Sequence, residues 1–195
     1  MACSLFLFAA CSENTTADEQ TTTDSTVSEP LITDSTTPNA ASPASSTDIA
    51  QFIQTNMPGW SVPGKEDWEK YWYDRYNKDK NTVFRVQSDF DGNGQRDYAY
   101  ILRDSTSQYA VWAFMGKEES YSPRRIYDIT RLPNRKLHVG LGVLKPGTYN
   151  DLNTADTLPA KVKTDHPAIH VVFFETAAKA YYWKDSTFHL IQTGD

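Results

Sequence analysis

The chain predicts an α+β domain, two helices followed by a mainly antiparallel β-sheet. Helical apolar spacing is confined to the residues before 77. From Thr82 onward the period shortens to two, in short runs rich in β-branched and aromatic residues and bounded by Gly, Pro, Asn and Asp. No internal repeat is visible, which excludes a propeller built from this chain alone.

The first helix is predicted over 48–56, capped by Thr47 or Asp48, with Ile49, Phe52 and Ile53 on one apolar face and Pro58-Gly59 ending it. The second is predicted over 65–76, because Trp68, Tyr71, Trp72 and Tyr76 recur at helical spacing and Glu66 and Asp67 occupy the first turn. Such a stripe is commonly core; exposed, it would be a platform for stacking sugars. Strands are predicted over 82–88, 97–103, 110–115, 136–143, 169–175, 179–183 and 188–193. In the fourth of these Leu137, Val139, Leu141 and Val143 share one face and His138, Gly140 and Gly142 the other, the alternation of a sheet with one buried side. The long connection 145–163, rich in Pro, Gly, Asn, Asp and Thr, reads as an interaction loop between strands.

Composition divides the chain in two. From residue 12 to 46, 16 of 35 residues are Ser or Thr and none is aromatic. Such a segment cannot bury enough apolar surface to offset its ordering entropy, so residues 11–47 are expected to form a flexible stalk. The first basic residue is Lys65, and the acids before it are Glu13, Asp18, Glu19, Asp24, Glu29, Asp34 and Asp48. They account for the net charge of −6, leaving 19 basic and 18 acidic residues from position 65 onward. Basic residues occur only in small groups, among them the pairs Arg124, Arg125 and Lys161, Lys163. No concentrated basic surface is present to neutralise phosphates, so nucleic acid is excluded as a partner. Residues 48–195 are long enough for one domain with its own core. That part has no cysteine, so no disulfide contributes to its stability.

Cys11 closes the apolar run Leu5-Phe6-Leu7-Phe8-Ala9-Ala10. Small residues before a cysteine resemble the lipobox of bacterial lipoproteins. The resemblance implies that residues 1–10 are a signal peptide, that Cys11 is acylated, and that the mature protein is anchored by lipid in the envelope of a Gram-negative bacterium, at the outer membrane or cell surface. Two features depart from the pattern: no basic residue precedes Leu5, and Phe8 stands where an aliphatic residue is usual. The apolar run is much shorter than the roughly 20 residues that span a bilayer. Asp24-Ser25-Thr26 and Asp34-Ser35-Thr36 resemble O-glycan acceptor motifs of some Gram-negative bacteria.

The segment Asp89-Phe90-Asp91-Gly92-Asn93-Gly94-Gln95-Arg96-Asp97 sits between two predicted strands. Asp89, Asp91, Asn93 and Asp97 supply side-chain oxygens at positions one, three, five and nine, and Gln95 a backbone carbonyl at position seven. Alternate inward oxygens suit calcium, which takes six to eight of them at about 2.3–2.6 Å. The spacing resembles the calcium loops of EF-hand, dockerin and integrin FG-GAP proteins, with FG-GAP nearest because its loop also joins two strands. It departs from the EF-hand at position twelve, where Tyr100 replaces the bidentate glutamate. The competing reading is a hairpin turn whose Asp, Asn and Gly residues satisfy only their own backbone.

Other chemistry has thinner support. His166 and His170 stand four apart, a zinc spacing on a helix, but Pro167 and the following apolar run argue for a strand with no third ligand. His138 and His189 are isolated. There is no Gly-x-Ser-x-Gly elbow, and no thiol in the head for a cysteine nucleophile. The C-terminal Ala180-Tyr181-Tyr182-Trp183-Lys184-Asp185-Ser186-Thr187-Phe188 resembles the closing hairpin of many small bacterial envelope proteins, and with the acidic loop suggests an uncharacterised lipoprotein family. The expectation is a monomeric, non-catalytic head that binds a protein or glycan, as an inhibitor, immunity protein or adhesion module. The alternative is a cell-wall or polysaccharide hydrolase using paired carboxylates drawn from Glu66, Glu69, Asp128 and Glu175.

Overall fold

The computed structural model describes residues 46–76, 83–130, 132–153 and 158–194. It is mainly antiparallel β-sheet with two short helices. The signal-peptide reading of residues 1–10, Cys11 and most of the expected stalk lie outside the described residues. Among the described residues, no helix is long and apolar enough to cross a membrane.

Helix α1 (Ser46–Asn56) leads into the two-residue strand β1 (Trp60–Ser61), a 3-10 turn (Lys65–Asp67) and helix α2 (Lys70–Tyr76). Strands β2 (Arg85–Ser88), β3 (Asp97–Asp104), β4 (Tyr109–Lys117) and β5 (Ser120–Ile129) form the first sheet with β1. β1 and β2 share one edge of β3, pairing at 103–104 and 97–100 respectively, while β4 takes the other edge and β5 lies outside β4. The second sheet has the order β11, β10, β9, β6, built from β6 (Val139–Leu144), β9 (Ala168–Phe173), β10 (Ala177–Lys184) and β11 (Thr187–Gly194). Strands β7 (Gly147–Asp151) and β8 (Ala160–Thr164) pair only with each other.

The alternation of β3 explains the layering. Tyr98, Tyr100 and Leu102 pack with Ile49 and Ile53, at i and i+4 on the apolar face of α1, and with Met57 just after the helix ends. The intervening Ala99 and Ile101 pack against Val139, Ile169 and Val171 of the second sheet. β3 is therefore buried on both faces, which is why its run 97–102 is continuously buried rather than half polar. The second sheet alternates likewise. Ile169 and Tyr181 face the first sheet, and Ala168 and Ala180 pack on the opposite side with Ile191 and Val162 of β8. The layer order is α1, first sheet, second sheet, β7–β8 hairpin.

Three expectations are corrected. Residues 65–76 do not make one helix, because Trp68 is extended (φ −94°, ψ 154°) between the 3-10 turn and α2. It bridges Leu137 and its indole N–H donates to the Val139 carbonyl at 3.0 Å, while the Leu137 N–H donates to the Asp67 carbonyl at 2.8 Å. These sheet contacts outweigh the local helical spacing. Trp68 and Trp72 are core, whereas Tyr71 and Tyr76 are exposed, the latter stacked on Phe174 at 4.3 Å. Residues 145–163 do not form an irregular loop, since their ends are the strands β7 and β8. β5 adds a strand that carries no clear local signal, because Pro123, Arg124 and Arg125 interrupt its pattern.

Candidate metal centre

The predicted ligand loop joins β2 to β3, and its first and last acids lie where the two strands pair, just after Ser88 and at Asp97. Phe90 is fully buried in the core between the sheets, which fixes the start of the loop. Gly92 (φ +75°) and Gly94 (φ +80°) then take left-handed conformations that side chains resist. At Gly92 a Cβ would also lie 2.1 Å from Cε1 of His166, so the β8–β9 turn rests directly on this part of the loop.

Asp89, Asp91 and Asp97 converge, with one oxygen from each lying within 4.8 Å of the others. Two cation–oxygen bonds of about 2.3–2.6 Å span about that separation, so the three acids are close enough to offer ligands to one cation. Asp89 accepts from the backbone N–H groups of Gly92 (2.8 Å), Asn93 (3.1 Å) and Gly94 (2.9 Å). Asp91 accepts from the Asn93 N–H at 3.1 Å and its side-chain amide at 3.2 Å. Asn93 is held by a second amide bond to the Gly116 carbonyl (3.1 Å), and its own oxygen accepts from the Gln95 N–H at 2.7 Å. As a metal ligand, Asn93 would therefore share that oxygen with Gln95. These bonds orient the acids without exhausting carboxylate oxygens that accept more than one partner.

Asp97 is fully buried and ties the loop to the sheet. One oxygen accepts from the Gly116 N–H (2.6 Å) and the other from the Phe90 N–H (2.7 Å). Burial pushes its carboxyl up to about 6; the two backbone donors oppose that, and the charges of Asp91 and Asp89 add to it. Asp91 is also raised, first by burial, with the Asp89 charge contributing. Three acids this close repel one another, and a divalent cation offsets that repulsion.

The histidines do not join the cluster. His166 lies on Gly92, while His170 lies in β9 with Nε2 3.1 Å from the Thr193 hydroxyl, its pKa lowered by burial. His138 Nε2 is 3.1 Å from Glu69, and the His189 ring neighbours Tyr182 at 5.5 Å. Among the carboxylates named for hydrolysis, Asp128 pairs with Arg125 at 2.5 Å, and Glu175 sits in the β9–β10 turn at φ +63°. Glu66, Glu69, Asp128 and Glu175 are all outside the acidic cluster.

Sequence reasoning missed two contributors. Gly116 lies 19 residues beyond Asp97, and His166 contacts the loop from the β8–β9 turn. Neither carries a local signal, because both arrive through strand pairing and sheet packing. Comparison with protein-family models, with curated proteins and with solved structures finds no match to this chain.

Proposed function

We propose that this chain is a lipid-anchored envelope protein of a Gram-negative bacterium, carrying residues 48–195 as a single α+β head that binds a protein or glycan without catalysing a reaction. Cys11 carries the anchor and the Ser/Thr-rich segment acts as the tether. The 89–97 loop holds calcium through Asp89, Asp91, Asn93, the Gln95 carbonyl and Asp97, as a clasp on the β2–β3 hairpin rather than a reaction centre. The observation that carries the binding reading is the β7–β8 hairpin. It occupies the layer opposite α1, and Leu152, Leu158, Lys161 and Lys163 in and next to it are exposed. Exposed apolar residues at the end of an outer hairpin suit recognition better than stability.

The test uses the full chain in a Gram-negative host. Cys11→Ala is expected to move the protein from the membrane fraction to the soluble envelope fraction. Leu158→Asp combined with Lys161→Glu is expected to abolish co-purification of the envelope partner recovered with the unaltered chain, while thermal unfolding stays the same. Retention of the partner by this variant would remove the hairpin from the binding surface. Release of reducing sugar from purified cell wall, lost in carboxylate variants, would replace the binding reading with hydrolysis.

A further inference from the structure

We draw no further inference here: the strongest candidate, the apolar groove of about 330 Å³ between β2 and β6 lined by Tyr76, Val86, Val143 and Phe174, carries nothing because nothing in the structure shows what covers it.

Discussion

Asp97 is buried with both oxygens committed to backbone donors, and its ionisation links the loop to pH. Its folded pKa, about 6 against 3.8, means that the folded state holds the proton more tightly than the unfolded chain. Without calcium, stability is therefore expected to rise as pH falls from about 7 toward 4, by about 1–3 kcal/mol. Asp74, Asp104 and Asp165, held low by their partners, begin to lose their contributions only as pH falls toward the ordinary carboxylate value of 3.8, so they oppose the trend at the acid end of this window and not in its upper part. Calcium requires the ionised acids, so its stabilisation is expected to be largest above pH 7 and to shrink below about 6. Thermal unfolding at pH 7.5 and 5, with millimolar calcium or chelator, checks both signs. No calcium shift at pH 7.5 would leave only the hairpin-turn reading. At Gly92 both the left-handed backbone and the His166 ring resist a side chain. Gly92→Ala is expected to destabilise by about 1–3 kcal/mol. Adding His166→Ala is expected to recover the steric part of that loss but not the backbone part, as denaturant unfolding of the double mutant would read.

Strands and turns follow local chemistry until a distant partner intervenes. The β10–β11 hairpin turns through Asp185 (φ +50°) and Ser186 (φ +63°), a two-residue connection of the kind that matches strand twist. A left-handed serine is strained where glycine is not, so Ser186→Gly is expected to stabilise by about 0.5–1 kcal/mol, measured as a rise in the denaturation midpoint. Pro123 opposes Phe114 on the outer strand β5, where a missing N–H is tolerated facing away from the sheet. That proline and the bulge opposite Val111 and Trp112 blunt an edge open to strand addition. The same features hid β5 from the sequence pattern. Ile49 and Ile53 follow a purely local period, whereas the break at Trp68 follows none, because its indole and its neighbours bond to a segment about 70 residues away.

Across the whole molecule, β3 is shared by two cores, one beneath α1 and one between the sheets. Ile101 and Leu102 are adjacent and fully buried, and they face opposite ways. Ile101→Ala and Leu102→Ala are each expected to cost about 2–5 kcal/mol. If the head is a single cooperative domain, each is expected to shift one urea transition seen identically by far-ultraviolet circular dichroism and tryptophan fluorescence. Separate transitions, each sensitive to only one of the two variants, would divide the layers into independent units. The β7–β8 hairpin closes the stack through Val162, which joins Ala168, Ala180 and Ile191 on the outer face of the second sheet.

The acid spacing of the 89–97 loop, the tyrosine- and β-branched-rich strands, and the contrast between the polar N-terminal segment and an aromatic-rich remainder were determined by sequence alone. Each depends on neighbours within a few positions, where backbone geometry leaves little choice. Tertiary structure alone decided that Gly116 and His166 meet that loop, that Trp68 leaves the helix, and that β3 is buried from both sides. The reason is physical: burial and hydrogen bonding between residues far apart in the chain are collective gains of packed layers, and no local pattern records which layers will meet.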